Sequence, residues 1–385
     1  MTVTRIALAL AAVAVLALAA PAGAQERRVP LSFYGANLDG ELAKASSDQR
    51  RWDESARMAS SGVESVRVTF EWSSAQPRRG LPFDHTRSDK ALLYAASHGL
   101  DVLPVVILAP AWARKYKNVG HSPPERNGDY TRYLRSLVQR YGPNGTFWLQ
   151  NPQLLKRPIR AWQIWNEPHL QYQWSIPTGM DYAPSYGKLL RASYKALKAE
   201  DPGATVVLGG LSNFSWRELD HLYAKGGVKG SFDVAALHPY TSSAKGVVTL
   251  VKRFRIILRR HGDAHVPIWI TELGLPASKG RDKSKSSLQT TDRGMAQFLW
   301  RSYKALAEGY GASLTRVERT YWYTWASLYC CEQFRYTGLL QFDPYKNEIA
   351  PKPAFDYYVK SARRDEGCEK DAAAQCLAAP PPSVP

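Results

Sequence analysis

Between residues 31 and 362 the sequence alternates eight times between a short apolar run and a longer segment with helical spacing. The apolar runs are 31–37, 65–70, 102–108, a strand opening at Arg160, 205–208, 232–237, 267–271 and 321–325. The helical segments are 48–61, 88–98, 129–141, 183–199, 215–224, 244–261, 291–308 and 353–362, several of them stopped by a glycine such as Gly62, Gly99, Gly142 or Gly262. Strands that are apolar throughout belong in a parallel sheet covered on both faces, and eight strand–helix units close such a sheet into a barrel. The expected fold is therefore α/β, a single (β/α)8 TIM barrel over residues 28–362 with a short C-terminal tail. The competing architecture, a doubly wound open sheet, requires a glycine-rich phosphate turn after strand one. That position reads Tyr34-Gly-Ala-Asn-Leu-Asp39, without such a turn. Residues 144–158 read as a long loop.

Two of the strands end on carboxylates. Trp162-Gln-Ile-Trp-Asn-Glu-Pro-His-Leu170 runs into Asn166 and Glu167, and Pro168 forbids further ladder pairing. Pro267-Ile-Trp-Ile-Thr-Glu-Leu-Gly274 ends on Glu272. In a parallel barrel the C-terminal ends of the strands carry the chemistry. Paired glutamates there have the composition of a glycoside-cleaving site. The other strand ends supply Arg67, Trp112, His238, Tyr240 and Trp325, and the loop after strand four adds Tyr172 and Trp174. Aromatic faces suit pyranose rings, and the charged and amide groups suit hydroxyls.

Each residue has a plainer reading. Glu167 can serve as a helix N-terminal carboxylate, and Glu272 can pair with a surface lysine. Arg67 can satisfy Glu71, and His238 can be a hydrogen-bonded wall residue. Trp112, Trp165 and Trp322 fit the barrel core.

Residues 1–24 read as a secretory leader. Arg5 is followed by an alanine-rich apolar run and the cleavage signal Ala22-Gly23-Ala24, so the mature chain is expected to begin at Gln25 outside the cytoplasm. No later run of 18 apolar residues is present, and no stable membrane insertion is expected. The formal net charge is +17, or +16 once Arg5 leaves with the leader. Such a charge favours polyanions. The dense basic stretches, 279–285 and 253–260, come with no nucleic-acid motif, so nucleic acid is not an expected partner. Cys330, Cys331, Cys368 and Cys376 permit three disulfide pairings, of which we favour the adjacent pair tying down a tail over 363–385. With no C-x-x-C spacing, a structural zinc is not expected.

Ile164-Trp-Asn-Glu-Pro-His-Leu170, Thr271-Glu-Leu-Gly274, Leu237-His-Pro-Tyr240, Trp325-Ala-Ser327, Gly338-Leu-Leu340 and Lys352-Pro-Ala-Phe355 resemble clan A of the retaining glycoside hydrolases. The resemblance is greatest to family 39, with cellulase-like family 5 second. It implies Glu167 as general acid/base and Glu272 as nucleophile, with no cofactor or metal. Asn166 corresponds to the residue that binds the sugar 2-hydroxyl, Arg67 and Tyr240 to groups touching the nucleophile, and Trp325 to the sugar floor. A bound apolar sugar and the facing anion would raise the pKa of Glu167. The sequence departs from family 5 at Leu108-Ala-Pro-Ala-Trp112, where that family has a histidine, and in the adjacent cysteines after strand eight. The expected substrate is an oligo- or polysaccharide, with the basic loop 279–285 suited to an acidic one, cut by endo action. An exo-acting β-xylosidase- or β-glucosidase-like enzyme is the alternative. A barrel that binds polysaccharide without cutting it, or one that only holds polyanions, would be a different class of protein.

Overall fold

The computed structural model of the chain describes residues 27–38, 47–283, 286–328 and 332–367. Eight parallel strands carry the fold: β1 (Tyr34–Asn37), β2 (Ser65–Glu71), β3 (Asp101–Ile107), β4 (Ala161–Ile164), β5 (Thr205–Val207), β6 (Ala235–Leu237), β7 (Ile268–Leu273) and β8 (Arg319–Trp322). They lie in the order β5-β4-β3-β2-β1-β8-β7-β6. Parallel bridges Val207–Val234 and Leu211–Leu237 join the two ends. The (β/α)8 barrel expected from the alternation is thus the observed fold.

Ten helices are described: α1 (Asp48–Ser60), α2 (Trp72–Ala75), α3 (Thr86–Ser97), α4 (Asn127–Tyr141), α5 (Thr146–Gln150), α6 (Tyr182–Glu200), α7 (Ser215–His221), α8 (Ala244–Arg260), α9 (Asp292–Glu308) and α10 (Pro353–Glu366). Their starts follow local chemistry. The side chains of Ser47, Asp181, Ser243 and Thr291 each accept a hydrogen bond from a first-turn N–H. In α4 the buried residues Tyr130, Leu134, Leu137, Val138 and Tyr141 recur at the spacing of one helical face. Burying each leucine contributes roughly 1.5–3 kcal/mol. The Tyr130 hydroxyl donates to the Val106 carbonyl, fixing that face against β3.

Inside the barrel Leu103, Ala161, Val207, Val234, Ala236, Trp269 and Tyr321 form a separate packed layer. Tyr321 lies across Gly35, where any Cβ would meet its ring at 2.4 Å, so the smallest residue of one strand receives a large aromatic ring of its neighbour. The barrel floor is therefore closed, and chemistry is confined to the upper end.

The structure differs from the expected elements in several places. Residues 144–158 contain the short helix α5 rather than loop alone. A three-stranded sheet, β9 (Ala326–Ser327), β10 (Leu340–Asp343) and β11 (Glu348–Pro351), is inserted before α10. Strand eight ends at Trp322, not residue 325. Helix α10 continues to Glu366, and its Asp365 accepts from the Tyr34 hydroxyl at 2.5 Å while the Asp365 carbonyl accepts from Arg28 N–H at 2.8 Å. All four cysteines, and the leader 1–24, lie outside the described residues. No helix among the described residues is long and apolar enough to cross a membrane.

Candidate active site

Two local distortions aim side chains into the upper end of the barrel. The first follows β4. Trp165 and Glu167 both have positive φ, 66° and 43°, and Asn166 sits between them. This left-handed backbone turns the chain off the ladder, so that Asn166 and Glu167 both reach the mouth. Trp165 N–H still pairs with Val106 O and Glu167 N–H with Gly210 O, which fixes the turn to its neighbours. The second distortion is in β7. Ile270 pairs with Thr320 and Leu273 with Trp322, so Thr271 and Glu272 together oppose Tyr321. Two residues against one is a bulge, and it lets consecutive side chains serve the same interior.

Arg67 rises from β2 into the centre of the site and is buried. Its Nε donates to Gln163 Oε1 at 2.8 Å, and Nη1 donates to Asn37 Oδ1 at 2.6 Å and to Glu272 Oε1 at 2.9 Å. Nη2 donates to Asn166 Oδ1 at 2.7 Å. Because that amide oxygen is occupied, the Asn166 NH2 is the group left to face a ligand. Glu272 also accepts from the Tyr240 hydroxyl at 2.7 Å. Burial and the Glu272 carboxylate push the Tyr240 phenol well above its usual range, so it remains a donor.

His238 lies between the two glutamates. Its Nδ1 is 2.9 Å from Glu167 Oε1 and 3.5 Å from Glu272 Oε2, and its Nε2 is 2.9 Å from Thr271 Oγ1. Carboxylates only accept, so the proton sits on Nδ1, and Nε2 is satisfied by the threonine hydroxyl. The imidazole rests on Gly210, where an added Cβ would come within 2.0 Å of Nε2. One oxygen from each glutamate and one nitrogen of His238 lie within 4.8 Å of one another. These atoms could surround a metal ion by distance alone. Their engagement argues otherwise, since Nδ1 is a donor and Arg67 already neutralises Glu272.

The raised pKa expected of Glu167 belongs to a sugar-bound site, and the protein alone sets a different starting point. Burial does push it up, but the hydrogen bonds from His238 and Ser212 outweigh burial and hold Glu167 below the ordinary glutamate range. Nearby His169 is lowered to about 4, chiefly by burial. Tyr172 is raised to about 12, chiefly by burial and then by the charges of both glutamates.

The structure thus brings Asn166, Glu167, Arg67, His238, Tyr240 and Glu272 into one hydrogen-bonded cluster. Arg67 does not serve Glu71, which instead accepts from Ser74 and faces Arg87. Tyr172 is 64% exposed at the rim, as a ligand platform must be. Trp174 is 1% exposed, edge-on to Trp165 and Tyr186 with its N–H on Ser185, so no ring face remains for a sugar. Trp325 is displaced because β8 ends early. Its indole is buried, donates to Glu54 of α1 and packs on Phe355, away from the glutamates. Half-buried Tyr323 follows the end of β8 instead, with its N–H on Leu273 O and close enough to Tyr240 to affect its ionisation. Trp112 is half-buried, held by Gln76 O and covered by Arg79. Trp165 and Trp322 are core residues. In the basic loop, Arg281 is engaged by Asp292, and residues 284 and 285 lie outside the described set.

The sequence reading missed Asn37, Gln163, Ser212, Thr271 and Tyr323. Asn37 and Ser212 were accessible in principle, as polar residues at or just past the ends of strands one and five.

The sequence model described as "Glycosyl hydrolase catalytic core" matches residues 135–350, more than half of the chain and a span that includes both glutamates. The chain belongs to this glycosyl hydrolase family. No curated protein sequence matches it. Among solved structures, the glycosyl hydrolase core is similar to a family 39 glycoside hydrolase from Bacteroides cellulosilyticus WH2, with a TM-score of 0.62 and 16% identity over 87% of this chain. The chain spans 64% of that structure's length. It is similar to a GH5_18 protein from Streptomyces cattleya in complex with GlcNAc (TM-score 0.63, 16% identity, covering 90% of this chain and 82% of the other). It also resembles an exo-β-1,4-mannosidase from Opitutaceae bacterium strain TAV5 (TM-score 0.59, 16% identity, covering 91% and 60%). At such identities these structures establish a shared fold, the (β/α)8 barrel.

Proposed function

We propose that the protein is a retaining glycoside hydrolase that cleaves β-type bonds in oligo- or polysaccharides by double displacement. The observation that carries this reading is the close approach of Glu167 and Glu272, whose nearest relevant oxygens lie within 4.8 Å, with the His238 imidazole hydrogen-bonded to Glu167 and 3.5 Å from Glu272. Inverting enzymes hold their carboxyls roughly 6.5–9.5 Å apart to admit a water, whereas retaining ones hold them about 5–5.5 Å apart.

Glu272, held as an anion-bearing acceptor by Arg67 and Tyr240, attacks the anomeric carbon. Glu167, ionised within the hydrogen-bonded cluster, takes up a proton as the sugar binds and desolvates it, gives that proton to the departing oxygen as the bond breaks, then takes a proton from the water that releases the glycosyl-enzyme. The Asn166 NH2 is placed for the sugar 2-hydroxyl. Endo action is supported by exposed Tyr172 and Phe214 on the loops after β4 and β5, which give a chain two aromatic surfaces at the rim. We further propose export through the leader, with cleavage after Ala24; the intact mass of exported protein should correspond to a chain beginning at Gln25.

The test is turnover of a panel of aryl β-mannosides, β-glucosides and β-xylosides and of β-linked polysaccharides, with Glu167→Gln and Glu272→Gln alongside. Loss of turnover in both variants and a first product of retained anomeric configuration, read by proton NMR, are expected. An inverted first product would sink the double-displacement reading, and chain lengths of the products decide endo against exo action.

A further inference from the structure

The chain leaves β5 through Gly209–Ser212 and enters α7 across a rim segment from which the reading above draws only on Phe214. Asn213 has φ of 53°, and Phe214 stands 57% exposed with its ring edge-on to Trp216 at 5.6 Å. The Arg217 guanidinium lies 4.9 Å from the Phe214 ring centre and 5.9 Å from that of Trp216. Arg253 of α8 lies over the same indole at 4.6 Å. Two guanidinium groups are thus gathered on one indole.

Stacking engages the face of a guanidinium and leaves its in-plane N–H donors free. Among the described residues, neither Arg217 nor Arg253 has a carboxylate within ion-pair distance or a side-chain hydrogen bond, unlike Arg87, Arg140 and Arg160, which meet Glu71, Asp89 and Asp201. The nearby acids are committed elsewhere: Glu218 accepts from the Tyr182 hydroxyl, and Asp220 faces Arg260 and His261. Exposed Lys245 and Lys252 on α8 add positive charge. The segment starts at Ser212, which hydrogen-bonds Glu167, and four residues span at most ~14 Å. The group that Glu167 protonates is the leaving group, so this rim lies on the leaving-group side.

We propose that Phe214, Trp216, Arg217 and Arg253 form a subsite for a carboxylate-bearing sugar unit. Its assignment to the leaving-group side rests on the glycosidase reading above; the anion site itself does not. The aromatic rings offer a surface for a pyranose, and the paired arginines offer in-plane donors to its carboxylate.

The experiment is affinity electrophoresis in native gels containing carboxymethylcellulose, hydroxyethylcellulose or duplex DNA. The two cellulose derivatives share a backbone and differ in charge. Wild type should be retarded by carboxymethylcellulose and not by hydroxyethylcellulose. Arg217→Ala/Arg253→Ala should weaken that retardation at least tenfold. Lys156→Ala/Lys346→Ala, which removes the same charge from other exposed positions, should leave it within twofold. Unchanged thermal midpoints show that both pairs fold. Equal retardation of the two pairs would overturn the proposal. So would duplex DNA that binds as tightly as carboxymethylcellulose and depends on the same two arginines. Binding of carboxymethylcellulose through these arginines by a protein that hydrolyses no glycoside would sustain the anion site and overturn only its leaving-group assignment.

Discussion

Arg67 is the residue whose replacement tests the site most directly. One buried guanidinium serves four acceptors, on Asn37, Gln163, Asn166 and Glu272, through three nitrogens pointing in different directions. Lysine in its place keeps the charge but presents its donors from one point, so it cannot reach acceptors spread around a fork. At least two of the four bonds should be lost. A hydrogen bond to a charged group contributes roughly 1.5–3 kcal/mol. The freed amides can relax, so we expect Arg67→Lys to lose about 2–3 kcal/mol of stability. Arg67→Met also leaves Glu272 buried without its cation, a loss of roughly 3–5 kcal/mol. Both variants free Asn166 and Glu272 to drift, and a misplacement of ~1 Å costs about 100-fold in rate. The assay combines urea unfolding followed by tryptophan fluorescence with kcat/KM on the best aryl glycoside of the panel. Two variants that are both at least 100-fold slower, with methionine the less stable, fit the reasoning. An Arg67→Lys enzyme within fivefold of wild type would refute it, because charge alone would then suffice.

Three further outcomes follow from the geometry. Gly210→Ala puts a methyl 2.0 Å from His238 Nε2 and must displace the ring, so kcat should fall about 100-fold at a stability loss of roughly 1–3 kcal/mol; near-normal turnover would show that the seat of the imidazole is not needed. His238→Asn removes the main group holding the Glu167 pKa down, so the alkaline limb of kcat/KM should move to higher pH while the maximum falls, and an unmoved limb would contradict this. In stability terms, a depressed carboxylate contributes above its unfolded pKa of about 4.3 and loses that contribution as pH falls through the folded value, so His238→Asn should also flatten acid destabilisation. Buried Lys352, lowered to about 8 chiefly by burial, binds its proton less readily folded than unfolded, where the pKa is about 10.4. Stability should therefore rise between those pH values by about 3 kcal/mol relative to Lys352→Met, and parallel pH profiles of the two proteins would refute the assignment.

Much of this molecule was readable before its structure because two signals agreed. Apolar runs of strand length alternated with helical spacing, and the polar breaks fell where the strands stop. Glu167 and Glu272 were visible because each interrupts an otherwise apolar strand. His238 and Tyr240 were visible as strand-end residues, whereas Arg67, read as one, lies inside β2 and reaches the site by the length of its side chain. What failed was register over a few residues. Residues 321–325 look like one apolar strand, but β8 stops at Trp322, which sends the Trp325 indole to Glu54 and leaves Tyr323 at the mouth. Trp174 was read from its loop position, yet its ring closes the space beneath Trp165. Gln163 and Thr271 were hidden because a polar residue inside an apolar strand reads as a minor exception until its partner is known. The lowered pKa of Glu167 was out of reach for a similar reason, since it depends on Ser212 and His238, 45 and 71 positions away along the chain.

The left-handed turn around Asn166 also sets a limit on how stable this barrel can be while it keeps its site. A side chain held at positive φ costs of order 1–3 kcal/mol, and here Trp165 and Glu167 do so within three residues. Glycine at Glu167 would relieve its share of that cost in the folded state, although it would also loosen the unfolded chain and give back part of the gain, whereas at Trp165 the cavity left by the buried indole would outweigh the relief. A search for thermostable variants that ignored activity would therefore be drawn to this turn, and its gains would come from the residues that aim the proton donor. Selection for activity must hold the turn in place against that pull, and the stability it forgoes has to come from the closed floor of the barrel, where Tyr321 lies across Gly35.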